Sequence, residues 1–174
     1  MPKFRSRNHS VATVPVGVDA VWSVVTDPAI LAELTPLVAH IEAHGDRWSW
    51  TLIGVSALGV SVAPTFTIRM TFEPQRRIVF EHDPPEGAHE RAGADGVYEL
   101  VEIDSSTTEL SIDITAWVEL PLPSIARGAV ESVMATTMRR AGDAFAQRLY
   151  KHLGIPPQTV SSMPRSEPNE RSDS

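Results

Sequence analysis

Hydrophobic and polar positions change period several times along this chain, and the changes divide it into elements. The segment VSVAPTFTIRMTF, Val60 to Phe72, alternates strictly. Val60, Val62, Pro64, Phe66, Ile68, Met70 and Phe72 fall on one side, and Ser61, Ala63, Thr65, Thr67, Arg69 and Thr71 on the other. A period of two predicts a strand with one dry and one wet face. The same period predicts strands at His9–Val16, Val38–His44, Arg47–Ile53, Arg77–His82, Gly96–Ile103 and Glu109–Leu120. Short turn-like links such as Gly45-Asp46 and Glu73 to Arg76 imply antiparallel hairpins. Asp83 to Asp95 is the one long polar loop, of the kind that often guards a site.

Helical spacing appears in two places. Val18, Val21, Trp22 and Val25 outline a first short helix. Asp27-Pro28 then starts a second, with Asp27 as N-cap and Pro28 in the first turn. After Pro121 and Pro123, a helix is expected from about Ser124 to His152, roughly 40 Å long at ~1.5 Å per residue. Its apolar stripe runs through Ile125, Ala129, Val130, Val133, Met134, Thr137, Met138, Ala141, Ala144, Phe145 and Leu149, and Gly154 supplies a C-terminal cap. The fold class is α+β: a seven-stranded antiparallel sheet, two short helices after strand 1, and one long C-terminal helix lying across the sheet. From residue 155 to 174 the sequence is rich in Pro and Ser and poor in large apolar side chains, so a flexible tail is expected after a domain spanning 8–153.

Composition narrows the function classes. Of 174 residues, 42% are hydrophobic and 21% charged, which suits a single globular domain. The formal net charge of -7 argues against nucleic acid as a partner. With no cysteine, disulfides, thiolate catalysis and Cys-ligated zinc are excluded. The first residues, MPKFRSRN, lack the apolar core of a signal peptide, and no apolar run is long enough for a membrane span. A cytoplasmic location is the expectation that follows.

No short motif of catalysis, nucleotide binding or zinc proteolysis occurs. His40 and His44 have a ligand-like spacing, but on a strand four residues span about 13 Å and cannot share one ion. No metal and no cofactor is expected. His82 follows Ile78 and Phe80 at alternate positions, so it is either an inward donor or acid–base group or a satisfied histidine at the sheet's edge. Tyr98 and Leu100 share one face of their strand, although Val97, Val101 and Ile103 make the other face apolar as well. Arg127 is a candidate for an anionic head group or a solvated surface charge. Trp117 falls off the apolar set of its strand, which makes it either an exposed aromatic patch or a ring covered by a tail or loop.

The opening VPVGVDAVWSVVTDPAILAELTP, Val14 to Pro36, and the closing MRRAGDAFAQRLYKHLG, Met138 to Gly154, resemble the START-like or SRPBCC superfamily. Within it the chain looks most like bacterial polyketide cyclase/dehydrase-like proteins and the accessory family associated with carbon monoxide dehydrogenase. The resemblance covers about residues 8 to 153 and implies the helix-grip fold, with the sheet curled around the long helix and an elongated hydrophobic cavity between them. The cavity set expected on that basis is Trp48, Trp50, Phe66, Ile68, Met70, Phe80, His82, Tyr98, Met134, Thr137 and Met138. The function implied is binding or transport of a small hydrophobic or amphipathic ligand, such as a lipid, acyl chain or polyketide. Two alternatives stand beside it: an enzyme of the cyclase/dehydrase type, for which His82 or Tyr98 would be the first mutants, and an accessory protein with a protein partner or a second copy of itself.

Overall fold

The computed structural model describes residues 1–156, so the segment 157–174, most of the expected tail, lies outside the described residues. Nine strands and three helices follow in the order β1 (Lys3–Val14), α1 (Val18–Val25), α2 (Pro28–Leu34), β2 (Val38–His44), β3 (Arg47–Leu52), β4 (Val55–Ala57), β5 (Val60–Val62), β6 (Thr65–Glu73), β7 (Arg77–His82), β8 (Ala92–Asp104), β9 (Thr107–Glu119) and α3 (Arg127–His152), the last preceded by a 3-10 turn at Ser124–Ala126. Seven strands form one antiparallel sheet in the order β1-β9-β8-β7-β6-β3-β2, while β4 and β5 form a separate hairpin.

Local chemistry sets the helix ends. The Asp27 carboxylate accepts from the Ala29 and Ile30 amides, both at 3.0 Å, so two otherwise unpaired donors at the start of α2 are satisfied. At the other end of the chain Gly154 adopts φ +70°, and Ile155 N–H donates to the Tyr150 carbonyl at 2.8 Å, closing α3 as its position in the sequence implied.

Four expectations need correction. β1 begins at Lys3 rather than His9, because its whole length pairs with β9, from Lys3 opposite Glu119 to Val14 opposite Thr108. Its inward positions Ser6, Asn8 and Ser10 are polar, so alternation of apolar residues could not reveal it. The Val60–Phe72 run is two strands. Pro64 offers no N–H to a ladder, and the chain breaks there into β5 and β6, although the Pro64 carbonyl still accepts from Leu52 at 3.0 Å. β8 starts at Ala92, which shortens the long loop, since Ala92, Gly93 and Ala94 pair with Val118, Trp117 and Ala116. Ile125 does not belong to the buried stripe of α3. It sits in the 3-10 turn and is 93% exposed. In β8 the ambiguity resolves in favour of Tyr98 and Leu100, which are buried while Val101 and Ile103 face outward.

The long edge strand β1 is protected by α3. Glu131 accepts from the Arg5 amide at 3.1 Å, Arg127 donates to the Lys3 carbonyl at 2.9 Å, and Tyr150 donates to the Thr13 carbonyl at 2.7 Å. Edge groups that would otherwise template pairing with another chain are thereby capped. Arg127 is therefore a structural clamp in this fold.

α3 joins a buried core at two places. Phe145 and Leu149 join the main core with Leu31, Leu34 and the α1 valines, and Val130 joins a smaller core with Phe4, Ala57 and Leu120. Between these anchors Met134, Thr137 and Met138 are only half-buried. Between them Met134 packs on the smaller core and Gly142 lies beside Asn8 of β1, so the helix also follows β1 along its length.

Asp83, directly after β7, holds two arginines of neighbouring strands: Arg47 Nε at 2.9 Å and Arg69 Nη2 at 2.7 Å. Partial burial raises its pKa, but the hydrogen bond from Arg69 and the charges of Arg47 and Arg69 outweigh it, leaving the carboxyl below its ordinary 3.8. The stabilisation from this clamp is complete above that ordinary value and is lost as pH falls through the lower folded value. Asp83→Asn is therefore expected to lower the urea midpoint at neutral pH and to flatten the acid side of the stability curve. Unfolding titrations at neutral pH and at about pH 3 check this, the variant showing the smaller difference between the two.

Candidate functional site

Under the N-terminal half of α3 lies a cavity of about 230 Å³. The inward faces of β3, β6, β7, β8 and β9 form its floor, and Val130, Val133, Met134, Thr137 and Met138 of α3 form its roof. The α2–β2 turn (Thr35 to Val38) and the β4–β5 hairpin, through Ala57 and Val62, complete the wall. Strand alternation explains the floor. Trp50, Phe66 and Ile68, then Met70, Phe80 and Ile114, fall on the same face because each pairs in register with its neighbour, Trp50 opposite Phe66 and Met70 opposite Phe80.

Nine of the eleven expected cavity residues line this space: Trp50, Phe66, Ile68, Met70, Phe80, Tyr98, Met134, Thr137 and Met138. Trp48 and His82 do not. Trp48 is 3% exposed and packs on the partly exposed Phe72, whose ring also meets Trp22 of α1 edge-on at 6.3 Å, outside the cavity. His82 has its Nε2 2.8 Å from Glu90 Oε2, and the other Glu90 oxygen accepts from the Thr67 hydroxyl at 2.8 Å. Its ring lies edge-to-face with Trp117, centroids 5.0 Å apart. The His82–Glu90–Thr67 chain ties the loop after β7 back onto the sheet.

Trp117 is the residue most at odds with its expected place. It is 7% exposed and lines the cavity. It packs over Gly93 across the β8–β9 pair, where an added Cβ would lie 2.6 Å from the indole, and Lys3 Nζ sits 3.8 Å from the ring centroid. A glycine opposite a tryptophan is the signal that could have found this packing, but only a known register brings the two together.

The lining is notable for what its chemistry omits. None of the residues around the cavity, among the described residues, carries a charge. Its polar side chains are the indoles of Trp50 and Trp117, the hydroxyls of Thr35 and Thr137, and the phenol of Tyr98. Thr35 is already committed, donating to the Leu31 carbonyl at 2.6 Å. Burial alone pushes the Tyr98 phenol up to about 12, so it stays protonated throughout the neutral range. No group of three or more potential metal ligands occurs among the described residues. Nor is any helix among them long and apolar enough to cross a membrane.

A curved antiparallel sheet gripping one long C-terminal helix over a cavity, with two small helices after the first strand, is the helix-grip fold of START-like proteins. Three solved structures show the likeness. A conserved protein from Geobacillus kaustophilus is 20% identical and has a TM-score of 0.61, with 85% of this chain and 95% of that chain covered. The Zhui aromatase/cyclase from Streptomyces sp. R1128 is 15% identical at a TM-score of 0.61, covering 91% and 99%. A START superfamily protein from Mycobacterium smegmatis is 14% identical at a TM-score of 0.59, covering 84% and 98%. At these identities the likeness is one of fold. No family model and no curated protein matches the sequence.

Proposed function

We propose that this protein binds a small hydrophobic or amphipathic ligand, a lipid, acyl chain or polyketide, in the space between the sheet and α3. One observation carries the reading: the cavity of about 230 Å³ is walled mostly by apolar side chains and by no charged ones, beneath the N-terminal half of α3. A concave, mostly apolar site that opens partly to solvent has the shape of a small-molecule pocket. Burying about 300 Å² of apolar ligand surface contributes roughly 7 kcal/mol before association costs, which gives useful affinity with few polar contacts.

The Zhui structure raises cyclisation chemistry as a second reading, but the lining favours binding over catalysis. Tyr98 is the one titratable side chain among the lining residues and is held in its protonated form, while His82 is engaged with Glu90 outside the lining. The proposal is tested by extracting the purified protein for mass spectrometry and by titrating the extracted protein with a fluorescent fatty-acyl probe. A co-purified apolar molecule, or saturable probe binding at one site per chain, is the expected result. Neither appearing would overturn the reading.

A further inference from the structure

The chain has two tyrosines, and their hydroxyls meet different surroundings. Tyr150 donates to the Thr13 carbonyl at 2.7 Å. Tyr98 sits on β8 between Ile78 of β7 and Ile112 of β9, and its ring meets Phe80 edge-to-face at 5.4 Å. Burial alone acts on its phenol; no hydrogen bond and no neighbouring charge contributes. The oxygen is nonetheless not sealed. Among the described residues Trp50 Nε1 is the one partnerless side-chain nitrogen or oxygen shut off from anything the size of a water molecule. The partnerless Tyr98 Oη therefore keeps an open side, although the residue is only 8% exposed. Tyr98 lines the cavity, so that open side meets the space beneath α3.

Thr137, on the roof, presents a similar group. Thr26 and Thr35 commit their hydroxyls to the Trp22 and Leu31 carbonyls one turn back, whereas Thr137 makes no such bond among the described residues. A protonated phenol and an aliphatic hydroxyl each donate and each accept. With no protein partner, both capacities are left to whatever enters the space. A ketone or ester fills only the donors. A carboxylate drawn to this depth would lose its hydration and find no counter-charge in the lining. A ligand hydroxyl is uncharged and fills both. We infer that the cavity takes an apolar molecule bearing a hydroxyl, of the alcohol class, whose oxygen hydrogen-bonds with Tyr98 Oη. This rests on the reading of the cavity as a ligand site and deepens it by naming the class. It makes Tyr98 a specificity-determining residue.

The test sets a straight-chain alcohol beside the ketone, alkane and carboxylate of equal length, each displacing a fluorescent apolar probe. The full-length protein, Tyr98→Phe and Thr137→Val are compared. Phenylalanine keeps the ring against Phe80 and removes only the oxygen. Of the three oxygen-bearing chains, the alcohol is expected to displace the probe best from the parent. On Tyr98→Phe it should lose about threefold to tenfold in affinity, the size of one hydrogen bond, while the alkane changes little. Because the hydroxyl serves no other group of the protein, Tyr98→Phe is also expected to unfold at the same or a higher temperature. Equal losses for alcohol and alkane would overturn the inference while leaving the cavity reading intact. So would a ketone or carboxylate displacing the probe best, or an alcohol loss seen in Thr137→Val and absent from Tyr98→Phe. A lower unfolding temperature for Tyr98→Phe would mean that the hydroxyl is bonded within the protein, and would overturn it too. If the probe itself fails to bind the parent, the cavity reading fails and this inference with it.

Discussion

Ala94→Phe is expected to weaken ligand uptake roughly hundredfold while the protein stays folded. Ala94 is 5% exposed, points inward from β8, and pairs with Ala116 of β9, so two small side chains face the half-buried middle of α3. Both alanines line the hollow together with Met134, Thr137 and Met138. A phenyl ring in that position takes up space that the ligand would use. Losing about 110 Å² of ligand contact costs roughly 2.8 kcal/mol, which is the hundredfold. The same ring gains dispersion contacts that the void lacks, and aromatic residues suit a strand, so the thermal midpoint is expected to hold or rise. Probe titration and a thermal melt on one preparation read both quantities. Undiminished probe binding in a folded Ala94→Phe protein would place the ligand elsewhere.

Gly96→Ala is expected to produce the opposite signature, a large loss of stability. Gly96 lies between Phe80 of β7 and Ile114 of β9. A Cβ built there falls inside contact distance of the Asp113 carbonyl oxygen and 2.5 Å from the Phe80 ring. The carbonyl belongs to the ladder and cannot swing away, so the sheet itself must separate locally. A cost of about 3 kcal/mol follows from overpacking of this kind, or a fall on the order of 10 °C in thermal midpoint for a chain of this size. Gly128→Ala is the control. Nothing lies within 4 Å of its added Cβ, and alanine is the better helix former, so a gain of up to about 1 kcal/mol is expected. Denaturant titrations of the two variants check the contrast, and equal midpoints would show that strand packing at Gly96 tolerates a methyl group.

These two sites also show where reading the chain works and where it stops. The alternation in Val60–Phe72 was legible, and with it the inward set Phe66, Ile68 and Met70, because a strand's period is written in consecutive residues. The interruption at Pro64 was legible in principle from the missing N–H, yet apolar alternation runs straight through it. β1 was legible only in its second half. Its partner β9 lies about a hundred residues away, and pairing rather than hydrophobicity makes Lys3–Asn8 a strand. His82 and Trp117 went to the wrong surroundings for one reason: alternation assigns a side chain to a face, but a loop returning with Glu90 and a glycine across the ladder decide what that face meets.

By itself, then, the sequence determined the three helices, most strands of the large sheet and the caps at Asp27 and Gly154, since each depends on neighbours within one or two turns of chain, but not β4 or the break at Pro64. Tertiary structure alone decided that Val130 to Met138 of α3 roof a space over the sheet, that no charged side chain lines that space, and that the Trp50 indole is left without an acceptor. Solid core and ligand-sized hollow require the same apolar alternation, and only the distance between two surfaces, fixed by contacts far apart in the chain, distinguishes them.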